Sequence, residues 1–467
     1  TKATAVVMES DNGGPDPERS EAAMEEKLDE TSAVRFAKEK LIPAVSRARQ
    51  AGTYALNRVR KGWRYEPVWT KWVYQTGLSI NEQLPERLKG RFEMQLEPGD
   101  TTAFPREKVE GKGLLIAPNN WAGQAAHWAR AASTLPGVSA FNVQFETRSH
   151  LKYPADATVK KDVAQRSVLW SWGLNKWIDE NISHVIVESS KPFLGNLFWH
   201  STPEHARHPD EEIDSLIKRG KQVAFLWHGS DIRNPEKHMA REPYSYFYRF
   251  PEHKRVVDQR KVEERAALAD RLGLVEFVST PGLLPYRPGA TWLPQLYDTE
   301  RWKPSGDVVS QQRDVPKVLH VPSHPYLKGT EIIAEICKRL HDEGVIVYEQ
   351  VSGVHPSKMP VTIESADIVI DQLGDPNYGS AAIEAMAMGK VVLGQVGQEV
   401  PRVVEETFGL ELPIVDINDD TLEDVLRGVA ADQERRQQLA EDAAQYVRKV
   451  HNVDLVAGML DSHFLAD

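Results

Sequence analysis

The sequence predicts an α/β protein of two Rossmann-like domains facing a central cleft, preceded by a helical N-terminal extension. Three observations predict it. From residue 113 onward, short apolar runs alternate with stretches of helical period, as in a doubly wound parallel sheet. A Pro-containing segment, "TWLPQLYDTERWKPSGD", divides two such series. The chain of 467 residues is too long for one ordinary hydrophobic core.

Residues 1–30 are rich in Glu, Asp, Gly and Pro and are expected to form a disordered acidic tail. Residues 31–110 read as a basic helical extension. Between Arg35 and Lys71, ten Lys and Arg face two acids, and Val34, Phe36, Leu41, Ile42, Val45, Tyr54, Leu56 and Val59 give an apolar stripe that Pro43 and Gly52 interrupt. Two readings stand equally for residues 31–75: an arm packing on its own protein or a sister subunit, and a basic amphipathic surface touching anionic lipid. Trp63, Trp69 and Trp72 suit both.

The first Rossmann-like domain, 111–298, has expected strands at 113–118, 140–145, 183–189, 222–229 and 275–280, with helices at 122–133, 165–181 and 254–272. The second, 299–445, has strands at 317–323, 345–351, 367–371, 390–395 and 412–417, with a helix at 329–343. Residues 446–467 are expected as a C-terminal helix returning toward the first domain.

The net charge of -11 argues against general nucleic-acid binding, which needs a basic excess. Cys337 is the only cysteine, so an internal disulfide and a Cys-rich zinc cluster are excluded. No apolar run approaches the roughly 18 residues that span a bilayer, and the start "TKATAVVMESDNGG" lacks a secretory pattern. A cytoplasmic protein is expected, with peripheral contact at the inner membrane face if it works on membrane-bound material.

In open parallel sheets, ligands sit beyond the carboxyl ends of strands, where helix N-termini present free N–H groups. Three loops fit. "PNNWAGQAAHWA" places Gly123 between strand and helix, a turn that by itself is more often structural than functional. "PSHPYLKGTEIIAEI" sets Lys328 and Gly329 at a helix start; a solvated lysine there is common, but the strand-to-helix junction favours phosphate. "NYGSAAIEAMAMGKVVLGQ" places Tyr378, Gly379 and Ser380 before a helix of tiny residues that carries one carboxylate, Glu384. Glutamate is a good helix former, yet its neighbours leave almost no polar face, so Glu384 reads as a hydrogen-bond acceptor for vicinal hydroxyls such as those of a ribose. "HGSDIRNP" clusters His228, Asp231 and Arg233 after a buried strand. His228 is read as functional, while an Asp231 to Arg233 pair that only fixes the loop stands equal with a functional one. His200, His205 and His208 show no metal-ligand spacing.

"YGSAAIEAMAMGKVVL", preceded by "SADIVIDQL", resembles the donor-binding segment of retaining GT-B glycosyltransferases of the large family four. "YLKGTEII", "FLWHGSDIR" and "LPQLYDTERW" are similar to further segments of that family, and the resemblance covers about residues 113–450. It implies a nucleoside-diphosphate sugar as donor, UDP by prior and GDP as the other option, with no cofactor or metal required. Glu384 would bind the ribose, Lys328 the diphosphate with N–H groups near Gly379 and Ser380, and Gly123 would lie beside that diphosphate. His228 would contact the transferring sugar or donor phosphate; with Asp231 it is a candidate catalytic group. Arg233 and His324 would be structural or substrate-orienting.

Two departures from the family pattern stand out. Pro376 occupies the place of the motif's first glutamate, where Asp375 could substitute if the loop shifts. The arginine that precedes the lysine is absent, with Ser323 and His324 in that region. The resemblance implies a cytoplasmic transferase acting on an envelope polysaccharide, glycolipid or other small carbohydrate acceptor. Two other readings are a non-catalytic subunit that positions a partner enzyme, and a sugar-nucleotide epimerase, which would need acid/base groups that His228 and Asp231 only partly supply.

Overall fold

The structure, a computed structural model, describes residues 103–147, 153–166, 168–195, 209–305 and 313–466. The expected acidic tail, the basic stripe of residues 31–75 with its three tryptophans, and His200, His205 and His208 lie outside the described residues.

Two parallel sheets carry the fold. The first has seven strands, β1 (Lys112–Ala117), β2 (Val138–Phe145), β3 (Ala157–Val159), β4 (His184–Glu188), β5 (Gln222–Trp227), β6 (Val275–Val278) and β7 (Thr291–Trp292). Their order is β3-β2-β1-β4-β5-β6-β7. The second has five, β8 (Lys317–His320), β9 (Val347–Gln350), β10 (Ile368–Ile370), β11 (Val391–Gly394) and β12 (Ile414–Asp416), ordered β12-β11-β10-β8-β9. Helices on both faces explain why the central strands show no polar alternation: Leu114, Leu115, Ile116 and Ala117 are all fully buried. Each such Leu or Ile contributes roughly 1.5–3 kcal/mol by leaving water.

The expected core strands all form, each within a few residues of its expected bounds. After α1 (Gln124–Ala132), the expected helix at 165–181 is helical on both sides of position 167, over α2 (Lys161–Arg166) and α3 (Val168–Asn181), and begins a turn earlier than expected. Edge strands β3 and β7, of three and two residues, are too short to leave a period in the sequence. Helices α4 (Pro209–Lys218), α5 (Pro235–Arg241) and α6 (Glu252–Leu272) complete the first domain. In the second lie α7 (Thr330–Asp342), α8 (Met359–Glu364), α9 (Ser380–Ala387), α10 (Glu399–Phe408), α11 (Leu422–Ala431) and α12 (Gln433–Val450).

The last helix, α13 (Val453–Leu460), belongs to the first domain's core. Val456, Leu460 and Leu465 pack in one cluster with Leu114, Ile116, Trp128, Leu293 and Leu296. The chain therefore crosses between the domains twice, near Gln295 and near His451. The two crossings touch: His451 Nδ1 donates to the Gln295 carbonyl at 2.7 Å. Burial pushes the His451 pKa down to about 4, so its other nitrogen is an acceptor, 3.3 Å from the Tyr378 hydroxyl.

Candidate functional site at the facing strand ends

On the first domain, the loops after β1, β4 and β5 share one buried carboxylate. Glu188 ends β4 fully buried; its Oε2 accepts the Asn119 N–H at 2.8 Å and its Oε1 lies 2.8 Å from His228 Nε2. His228 also stacks on Trp128, with ring centroids 6.1 Å apart. The imidazole is thus held on one side by a ring and on the other by a charge. A carboxylate cannot donate, so it fixes the proton on Nε2 and leaves Nδ1 as the nitrogen without a partner among the described residues.

Asp231 serves the loop itself. Its carboxylate accepts from the N–H groups of His228 and Gly229, at 3.0 and 2.7 Å, and from Ser189 Oγ at 2.6 Å. Arg233 does not pair with Asp231, so the loop-fixing pair of the sequence reading does not form.

Three non-glycine residues of the described chain have positive φ, Ala122 (52°), Ser189 (55°) and Ser190 (49°), and all three lie at the ends of β1 and β4. A left-handed L-residue costs roughly 1–2 kcal/mol, so this rim holds conformational strain that the surrounding bonds must offset. Gly123, at φ 79°, has Tyr153 against it: a Cβ there would lie 3.1 Å from the Tyr153 ring.

On the second domain, α9 presents a mixed face. Ala382, Ile383, Ala385 and Met386 are buried, while Ala381, Glu384 and Ala387 form a half-buried stripe at three-residue spacing. The Glu384 carboxylate has no hydrogen-bond or ion-pair partner among the described residues. Desolvation pushes its pKa up to about 8, with the Arg301 charge pulling the other way. Its charge in turn acts on the Tyr153 phenol of the first domain, whose pKa is raised by burial and then by Glu384. Glu384, Tyr153 and Gly123 therefore belong to one region between the domains. Ser380 Oγ joins it, donating to Gln295 Oε1 at 2.8 Å.

Lys328 points to the end of β10, where Nζ lies 2.8 Å from Asp371 Oδ1 and 2.6 Å from Gln372 Oε1. Gly329, at φ 67°, caps α7. His320 steadies that turn from below, donating from Nδ1 to the Ile370 carbonyl and accepting at Nε2 from the Thr330 hydroxyl. His324 is exposed, and only its carbonyl takes part, accepting from Leu327 and Lys328 N–H.

Asp375 is anchored across the seam. Its Oδ2 lies 3.0 Å from Arg233 Nη1 and its Oδ1 3.7 Å from His238 Nε2. Burial opposes the charge of Asp375, but Arg233 and His238 outweigh it and hold the carboxyl below its ordinary value. The adjacent Gly374 carbonyl accepts the Tyr246 N–H at 2.8 Å, and Asn377 Nδ2 donates to Thr280 Oγ1 at 2.7 Å. The arrangement thus gathers Gly123, Ser380 and Glu384 in one region and Arg233 with Asp375 in another. Gly379 lies on the loop between Asp375 and α9, and His228 and Asp231 at the first-domain strand ends.

Glu188, Asn119, Tyr153, Arg301 and Asp371 were absent from the sequence-derived set. Glu188 and Asp371 did carry a signal: each closes an apolar parallel strand with an acid, at the edge where ligands bind. Tyr153 and Arg301 lie in stretches without a period or motif. Among the described residues, no three His, Cys, Asp or Glu side chains group as a metal site, and no helix is long and apolar enough to cross a membrane.

Two Rossmann-like domains with parallel sheets whose strand ends face one another constitute the GT-B architecture. Among solved structures, the Anabaena protein HepE in complex with UDP and glucose is similar in fold, with a TM-score of 0.50 and 12% identity, over 76% of this chain and 100% of that one. Sucrose-phosphate synthase from Thermosynechococcus elongatus gives a TM-score of 0.49 at 12% identity, over 75% of this chain and 98% of that one. No protein-family model and no curated protein sequence matches this chain.

Proposed function

We propose that the protein is a glycosyltransferase that moves a sugar from a nucleoside diphosphate to a carbohydrate or glycolipid acceptor, with retention of configuration. The observation that carries this reading is Glu384. It is a half-buried carboxylate without a partner among the described residues, set on a helix of tiny side chains between the domains of a GT-B fold. Vicinal ribose hydroxyls would supply the donors it lacks.

The remaining roles follow from position. The N-terminus of α9, whose cap residue Gly379 offers no side-chain bond, faces the departing diphosphate with free N–H groups. Lys328 adds its charge by exchanging part of its contact with Asp371 for phosphate. In the reaction the sugar C1–O bond to phosphate breaks, the acceptor oxygen bonds to C1 on the same face, and its proton passes to the departing phosphate oxygen. Fixed positive ends and charges stabilise the leaving group, and no enzymic nucleophile is needed. His228, whose Nδ1 has no partner among the described residues, contacts the transferring sugar. Asp231 positions that histidine's loop. Asp375 holds Arg233 and keeps the Pro376 turn in place.

A second reading, a sugar-nucleotide epimerase, gains from Glu188. A buried carboxylate 2.8 Å from His228 supplies the second acid/base group that the sequence alone did not offer.

UDP is the first nucleotide to test, because the similar HepE structure contains it. Calorimetric titration with UDP, GDP and their sugar conjugates, repeated on Glu384→Ala, decides the matter. Binding of one nucleotide that is lost in the variant supports the donor site. Absence of binding by every nucleotide would sink it.

A further inference from the structure

We propose that Trp121 and Lys191, at the ends of β1 and β4, form an acceptor subsite for a sugar that carries a carboxylate or a phosphate. This rests on the glycosyltransferase reading and names the chemical class of its acceptor.

Trp121 is 46% exposed, unusual for an indole that follows a fully buried strand. The left-handed Ala122 next to it holds it in the turn. Lys191 Nζ lies 5.1 Å from the centroid of the Trp121 ring and 3.2 Å from Asn119 Oδ1. That amide oxygen is the only hydrogen-bond acceptor the ammonium has among the described residues, so two of its three N–H groups are unassigned.

The two nearby carboxylates do not pair with Lys191. Glu188 is committed to Asn119 N–H and His228, and Asp231 to His228, Gly229 and Ser189. Burial lowers the Lys191 pKa; Asp231 and Glu188 raise it, and Arg265 and Lys161 lower it further. Lys191 is thus left with two N–H groups beside two carboxylates whose oxygens are already bonded elsewhere, and an anionic group on a ligand would supply the acceptor they lack. An indole face beside an ammonium suits a hexose ring that presents C–H groups on one side and an acid on its rim.

The position also fits the chemistry. Asn119 bonds both Lys191 and Glu188, and Glu188 bonds His228, so the subsite adjoins the proposed transfer centre through a continuous chain of contacts. The strained Ser189 and Ser190 shape the loop that delivers Lys191.

The test uses the full chain and titrates glucuronic acid, glucose 6-phosphate and glucose in the presence of UDP. At least one of the two acids should bind about tenfold tighter than glucose, the scale of one charge-assisted contact. Preference for glucuronic acid alone assigns the carboxylate, and preference for glucose 6-phosphate alone assigns the phosphate. Lys191→Met should abolish the preference, Lys191→Arg should keep it, and Trp121→Ala should weaken all three sugars together. If Lys191→Met does not fold, salt serves instead, because a preference carried by Lys191 must shrink as ionic strength rises.

Equal binding of the three sugars, no binding of any, or an acid preference that survives Lys191→Met or high salt overturns the proposal. UDP binding separates the two levels. UDP bound with no acid preference leaves the donor reading standing and removes the subsite; an acid preference without UDP binding leaves a site for anionic sugars but removes its role as an acceptor subsite.

Discussion

Arg233 of the first domain and Asp375 of the second form a direct interdomain ion pair, 3.0 Å between Nη1 and Oδ2, with side chains only 6% and 17% exposed. Two residues that read in sequence as a loop brace and as a stand-in for a missing glutamate are one another's partners. Removing one charge leaves the other buried and uncompensated, so Arg233→Met should cost about 3–5 kcal/mol in denaturant unfolding. A cost near zero would show that the pair does not form in solution.

The same pair sets a pH dependence. Asp375 has a depressed native pKa, so the native state binds fewer protons there than the unfolded chain. Its contribution is complete above the ordinary aspartate value of about 3.9 and is lost as pH falls toward the depressed native value. Comparing acid unfolding of the wild type with that of Asp375→Asn should show a shallower acid limb in the variant; superimposable limbs would contradict the assignment.

Glu384 runs the other way. Its native pKa is pushed up to about 8, so the native state holds a proton that the unfolded chain releases at ordinary carboxylate pH. Stability from this group is full at acid pH and declines as pH rises through 8. Nucleotide binding should show the converse, since ionised Glu384 is the better acceptor for two hydroxyls: UDP affinity rises between pH 6.5 and 8.5 with release of roughly one proton by linkage. Glu384→Gln should flatten that profile. Calorimetry in buffers of different ionisation enthalpy reads both.

Two glycines in one loop should respond differently to the same substitution. Gly374 has φ 90°, and a Cβ there would lie 3.0 Å from Tyr246 Cβ and 3.1 Å from Arg249 Nη1. Gly374→Ala should therefore cost about 1–3 kcal/mol through backbone strain and overpacking. Gly379 is extended, at φ -134°, and a Cβ on it would meet nothing within 4 Å. Gly379→Ala should fold with unchanged stability and lose donor affinity, because the space it fills is the approach of the diphosphate. Unchanged nucleotide binding in Gly379→Ala would remove that role.

Glu188→Ala should cost about 1–3 kcal/mol, since Asn119 N–H and His228 Nε2 would lose a buried acceptor. Nitrogen NMR of His228 is the sharper readout: the wild type should show the Nε2–H tautomer, and the variant a mixture. A wild-type spectrum with the proton on Nδ1 would reverse the assignment.

How much of this was legible beforehand depends on scale. Strands such as "GLLIAP" and "KVVLGQ" are apolar on both faces, so their runs are conspicuous and the two-domain α/β fold could be read directly. Gly123, Ser380 and Glu384 stand out in the sequence by their small-residue strand-to-helix junctions, and the fold brings the three to one region. The pairing of Arg233 with Asp375 could not, because it joins positions 142 residues apart and depends on how the domains meet. Glu188 lies at the end of an expected strand, and its burial is set by loops far along the chain.

The neighbouring crossings at Gln295 and His451 limit how the domains can move. A body tethered by one cord can swivel about any direction, whereas one held by two adjacent straps swings like a door about the line between them. Severing the chain after Val450 would turn that door into a pendulum.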